Sequence, residues 1–410
     1  MTTTPLDPAR SQPLPDLLSS TRRDVRIDVL RGLAIVFVVV NHIDVPSLFH
    51  AVSQEALGPI TGAEMFVALS GVVVGMAYRS RALNGVRAEA LEPLWRRAWK
   101  LYLVTLAVVV SAWLVQFLPG IDGSVLTTWT ETDAEGAVTS WDLYAGIADG
   151  LTWPIPGAVL GELLTLQLGP PQFNVMGLYV VLLLAAPVVL AGLKRARTGT
   201  VVAVSLGLWA TYQISATTVL TAVYESPFPL LAWQVLFVLG MAAGFHREAL
   251  VSRARTSAGG AVLGSSAVLF ALGLFFIWNS PWRSSSEGEI GFSLGVIPED
   301  GFGSLYTALF ERTPLPPGRL VFVVAALITL YAALTVLRRP VERFVVPVLA
   351  PLGQATLYVF VLQVFFVALV ASLPLPESGT LLWGTLIHAM VLTALWLMVR
   401  HRVLFRFIPR

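Results

Sequence analysis

Long apolar runs, punctuated by short polar segments, set the pattern of this chain. Crossing ~30 Å of hydrocarbon as an α-helix takes about 20 residues. Ten stretches meet that length: 29–47, 57–78, 98–118, 174–193, 198–220, 230–246, 257–278, 319–337, 345–372 and 380–399. The stretch 345–372 exceeds one crossing and is expected to be tilted or broken. Barrel strands would alternate apolar and polar positions, and these runs do not. Only helices and closed barrels satisfy backbone hydrogen bonds in lipid. The predicted fold class is therefore an all-α polytopic membrane protein with about ten transmembrane helices.

Charge placement sets the orientation. Of 27 Lys and Arg residues, all but Arg283, Arg312 and Arg319 fall in segments that ten crossings put on one side. Basic loops face the cytoplasm, so both termini are expected there. Residues 1–25 are polar, without an apolar core, and read as a disordered cytoplasmic tail rather than a signal peptide. A membrane domain over 26–400 follows, then a basic tail over 401–410. The long outer loops are 119–173 and 279–318. The first holds seven acidic residues, no basic ones, and Trp129, Trp141 and Trp153. Its 157–169 stretch reads as a surface or re-entrant helix. Glycine pairs Gly71/Gly75, Gly240/Gly244 and Gly260/Gly264 have the spacing of close helix packing.

Composition narrows the chemistry. Apolar residues make up 56% and charged residues 13%, against about 25% charge in soluble domains; mean hydropathy is +0.74. There is no cysteine, which removes thiolate metal sites and cysteine nucleophiles. No metal is expected. The basic residues form no patch, so no nucleic-acid partner is expected.

Charged residues inside membrane segments mark pathways or chemistry. The first run carries Asp28, Arg31 and His42. Eleven residues separate Arg31 from His42, about 20° past three full helical turns, so both share a face. The rise between them is ~16 Å. Glu64 enters from the outer end of the next, antiparallel helix at ~10 Å depth, against ~8 Å for His42. The two could therefore face one another, with the carboxylate fixing the imidazole tautomer and preparing a general base. Arg31, lower in the same cleft, could clamp a phosphate or carboxylate. Plainer readings stand beside these: a helix–helix hydrogen bond for His42, a snorkelling anchor for Arg31, an i, i+3 partner of Arg31 for Asp28.

Other polar positions are open in the same way. Ser70 is a packing residue or a substrate contact. Arg97, Lys100 and Tyr102 open the third helix as topology charge or as anion ligands. Asn174, Tyr179, Trp233, Gln234 and Gln363 are interhelical bonds or substrate contacts. Arg319, basic on the outer side, is a candidate for an anionic group. The loop tryptophans suit sugar stacking and an interfacial aromatic belt equally.

Several of these residues lie in recognisable strings. RDVRIDVLRGLAIVFVVVNH (23–42) resembles the opening of the OpgC family of integral-membrane acyltransferases, and GAEMFVALSG (62–71) is similar to that family's second signature. RRAWKLYLV (96–104), LYVVLLLAAP (178–187), LAWQVLFVLG (231–240) and GQATLYVF (353–360) fit its pattern. The Arg31-to-His42 spacing also matches the Arg-x10-His signature of the wider acyltransferase-3 superfamily. The resemblance implies a ten-helix enzyme of the bacterial inner membrane. It would transfer an acyl group, acetyl or succinyl, from cytoplasmic acyl-CoA to a hydroxyl of an extracytoplasmic glycan or glycolipid. In the superfamily the signature Arg and His are the essential pair, which carries over to Arg31 and His42. Two acids of the family pattern are replaced here, by Thr61 and Asn174, which leaves acyl group and acceptor open.

On this reading CoA phosphates sit near Arg31, Arg97 and Lys100. The pantetheine arm, about 15–20 Å long, matches the rise to His42. His42, oriented by Glu64, then takes the acceptor proton. A proton-coupled transporter or flippase using His42 and Glu64 as a relay is the alternative, although such folds usually carry internal repeats and none is evident. A non-catalytic partner in envelope synthesis is a third reading. The sequence leaves the oligomeric state open.

Overall fold

The computed structural model describes residues 24–53, 55–83, 92–132, 138–147, 150, 154–281, 292–374, 380–406 and 408. Most of the expected 1–25 tail, Trp153 and Arg283 lie outside them. Each of the ten apolar stretches coincides with a helix. In chain order these are α1 (Val25–His42), α3 (Gly62–Leu83), α4 (Glu92–Val115), α7 (Asn174–Lys194), α8 (Thr198–Ser215), α9 (Leu230–Phe245), α11 (Ser257–Ile277), α13 (Pro317–Val336), the pair α14 (Val346–Gln354) and α15 (Thr356–Ala371), and α16 (Thr380–Arg400). Short helices fill the connections: α2 (His50–Ser53), α5 (Ser124–Thr127), α6 (Gly157–Leu164), α10 (Arg247–Arg253) and α12 (Glu299–Phe310).

Among the described residues, five helices qualify as membrane spans by length and composition: α4, α7 with its preceding turn, α11, α13 and α16. The count reaches seven if each of two bent pairs is one span. One pair is α9 with α10, bent by 76°; the other is Arg338–Gln354 with α15, bent by 83°. The expected break in 345–372 therefore falls at Ala355. The first helix stops at His42 rather than 47, because Asn41, Asp44 and Pro46 end the helical pattern. The next begins at Gly62 rather than 57, since Gly58 has φ +97° and Pro59 follows it.

Small residues decide the closest crossings. A Cβ on Gly71 or Gly75 would collide with the backbone of α9, and one on Gly240 or Gly244 with the backbone of α3. The two glycine pairs thus face each other, as their spacing predicts. Gly32 of α1 and Gly353 of α14 make an equivalent contact. Gly260 and Gly264 do not: nothing lies within 4 Å of either Cβ position, so that pair corrects the packing expectation.

The long loop 119–173 holds two features. A two-stranded antiparallel hairpin, β1 (Thr128–Thr132) and β2 (Val138–Asp142), pairs Trp129 with Trp141; hydropathy alone did not predict it. The helix expected within 157–169 is α6, which buries no residue. Tyr102 donates its hydroxyl to the Leu164 carbonyl at 2.7 Å. Tyr102 precedes the end of α4 at Val115 by thirteen residues, or ~20 Å of rise. Leu164 therefore lies well down the flank of α4.

Candidate functional site

His42 ends α1, and α15 brings Gln363 against it. Nδ1 of His42 lies 2.8 Å from Oε1 of Gln363, whose Nε2 donates to the carbonyl of Gln172 at 3.1 Å. That second bond fixes which end of the amide faces the ring: Gln363 offers His42 an oxygen, so Nδ1 carries the proton. Nε2 is left with a lone pair, the state a general base requires. Gln363 is fully buried and His42 half-buried.

The end of α1 is itself held. The Val40 carbonyl, an orphan acceptor of the last turn, meets Nε2 of His50 at 3.1 Å and Nε2 of His388 at 3.3 Å. Both rings are buried and pack edge-on, 5.2 Å apart. Sequence reasoning missed these two histidines, because their common partner is a backbone atom.

Arg31 lies lower on the same helix, half-buried, and donates Nη2 to the Thr356 hydroxyl. Thr356 is the first residue of α15, just past the break at Ala355. One helix, α15, thus contacts both Arg31 and His42. Asp28, buried one turn below, accepts from Nε2 of Gln354 at 3.2 Å.

Glu64 is not the partner of His42. It is 0% exposed, and Oε1 accepts from Nε of Arg319 at 2.6 Å. Oε2 accepts from the backbone N–H of Thr61 at 3.0 Å and from the Thr61 hydroxyl. Thr61 and Glu64 form a capping box at the start of α3, a Thr-x-x-Glu signal legible in TGAE. The expected His42–Glu64 dyad is thus replaced by a structural ion pair and cap. Arg319 is also 0% exposed. Nη2 donates to Glu55 at 2.8 Å, and Nη1 donates to the carbonyl of Phe310 at the end of α12. All three guanidinium nitrogens are engaged, which leaves none for the anionic group the sequence suggested.

The remaining candidates divide. Trp233 donates to the Thr313 carbonyl at 3.0 Å. Gln234 accepts from the Ser205 hydroxyl at 2.7 Å and donates to the Ser205 carbonyl at 2.8 Å. Tyr179 is buried edge-on to Phe66 and Phe237. These three are helix-packing residues in the structure. Ser70 is buried in α3, in the turn that carries the Gly71 crossing. Asn174 starts α7, half-buried beside Tyr224. Arg97 and Lys100 are exposed on α4, and Tyr102 stacks on Trp99 at 5.4 Å.

A second buried polar centre, absent from the sequence reading, ties the opposite end of α1. Asp24 accepts from the backbone and side chain of Arg26, from Arg247 at 2.5 Å and from the Tyr331 hydroxyl at 2.8 Å. Burial works to raise its pKa. The Arg26 hydrogen bond and charge, with Tyr331 and Arg247, outweigh it and hold the carboxyl below its ordinary value.

These elements define a multi-pass helical membrane protein with a polar seam between α1 and a broken helix. The chain belongs to the OpgC family: the model described as OpgC protein matches residues 23–406, nearly its whole length. Membership makes a membrane acyltransferase acting on glucans the activity its family suggests. No curated protein matches the chain.

Proposed function

We propose that this chain is a ten-span O-acyltransferase of the bacterial inner membrane with both termini cytoplasmic. It moves an acetyl or succinyl group from cytoplasmic acyl-CoA to a hydroxyl of an extracytoplasmic glycan or glycolipid. The observation that carries the reading is the His42–Gln363 bond. It leaves Nε2 free of any hydrogen-bond partner among the described residues, on the same helix as Arg31.

The chemistry follows from that tautomer. Nε2 of His42 takes the acceptor hydroxyl proton as the oxygen attacks the thioester carbonyl. The carbon–sulfur bond breaks, and the CoA thiolate leaves with the proton returned from His42. Gln363 replaces Glu64 as the orienting group; a neutral amide fixes the ring without placing a second charge beside it. Arg31, held by Thr356, binds an anionic part of the donor below.

The test is acyl transfer from radiolabelled acetyl-CoA or succinyl-CoA to a glucan acceptor, in membranes carrying the chain. His42→Ala should abolish transfer while the protein stays folded and inserted. Transfer that survives this substitution overturns the reading, as does proton-driven glycan translocation without CoA release.

A further inference from the structure

Gln172, whose backbone carbonyl holds Gln363, also makes a side-chain bond toward the hairpin. Nε2 of Gln172 donates to the carbonyl of Val125 at 2.8 Å, and Val125 lies in α5. That helix runs directly into β1, so Trp129 stands four residues beyond Val125. Trp129 pairs in register with Trp141, which puts both indoles on one face of the hairpin. They are 48% and 45% exposed. The hairpin is anchored: the Leu143 N–H donates to the Thr127 carbonyl at 2.8 Å, and Tyr144, fully buried, donates its hydroxyl to the Val109 carbonyl at 2.9 Å.

Two large exposed indoles on an anchored hairpin present flat apolar area with little ordering cost left on binding. Membrane headgroups and sugar rings are the two flat-faced occupants to weigh. Charge separates them. Residues 119–173 contain seven acidic and no basic residues, and the carboxylates of Asp122 and Asp142, flanking the hairpin, are exposed. Such a segment is repelled by anionic headgroups. The hydroxyl of Thr139, which the register puts on the same face as the indoles, is a partner for the O–H groups of a neutral sugar.

We propose that the Trp129/Trp141 face is the acceptor platform, which stacks a neutral sugar ring of the glycan and presents its chain to His42. This rests on the acyltransferase reading and adds to it the residues that select the acceptor. Gln172, holding Gln363 through its backbone carbonyl and Val125 through its side chain, braces the base and the hairpin against the same residue.

The experiment uses the full-length chain in phosphatidylcholine nanodiscs, titrated calorimetrically with a linear β-glucan oligosaccharide. The double variant Trp129→Ala/Trp141→Ala should weaken binding about tenfold or more. It should raise KM for glucan and leave KM for acyl-CoA unchanged. Trp129→Tyr/Trp141→Tyr, which keeps two aromatic faces, should retain most of the affinity. His42→Ala should bind glucan like the wild type without transferring to it; transfer by that variant would sink the catalytic reading and leave the platform standing. An unchanged glucan affinity in the double alanine variant overturns the platform, as does a wild type that binds no glucan. Unchanged affinity with lost thermal stability only in anionic nanodiscs identifies a membrane anchor and equally overturns it.

Discussion

Gln363 turns its amide oxygen to Nδ1 of His42 at 2.8 Å because its nitrogen is already committed to the Gln172 carbonyl. The bond is directional, and its loss lets the imidazole rotate and change tautomer. Gln363→Ala is expected to lower kcat roughly tenfold to a hundredfold, a part of the total that a positioned base contributes. KM for acyl-CoA should not move. Steady-state kinetics with both substrates varied provide the check; an equal rise in KM would instead make Gln363 a substrate contact.

Arg319 is expected to act on stability rather than on the donor. Arg319→Met strands Glu64 in the protein interior, at a cost of about 3–5 kcal/mol. Glu64→Gln in the same chain should recover part of that loss. Thermal unfolding in detergent reads both. Loss of activity with an unshifted melting temperature would return Arg319 to the substrate.

The glycine crossings can be separated by substitution. Gly71→Leu drives a side chain into the α9 backbone and should destabilise by about 1–3 kcal/mol. Gly260→Leu meets open space and should stay within about 0.5 kcal/mol of the wild type. The comparison of the two melting temperatures tests the helix arrangement.

The Asp24 centre predicts a pH dependence. A carboxyl with a folded pKa below its unfolded value contributes stability above the unfolded pKa and loses it as pH falls through the folded one. For Asp24 that window lies below its ordinary value of 3.8. Asp24→Asn should therefore be less stable than the wild type at neutral pH, and the gap should close in acid. Parallel acid titrations of the melting temperature measure it.

Much of the fold was legible because helix formation in lipid is a local property. Every apolar stretch became a helix, and the break near 355 followed from a run too long for one crossing. The common face of Arg31 and His42 is likewise fixed by helix geometry alone. Glu64 shows where reading stopped short. Its local role, the cap with Thr61, was written in four consecutive residues. Its ion pair with Arg319 joins positions 255 residues apart in sequence.

The sequence by itself determined the helices, the placement of the basic residues and the Arg31-to-His42 spacing, since each depends only on neighbours along the chain. Only the tertiary structure decided that Gln363 rather than Glu64 orients His42, that Arg319 is spent on carboxylates, and that Gln172 ties Gln363 to the segment leading into the tryptophan hairpin. Side chains on different helices find partners through which helices pack together and at what depth. Depth estimates from separate helix ends left the rotation of each helix, and hence its partner, undetermined.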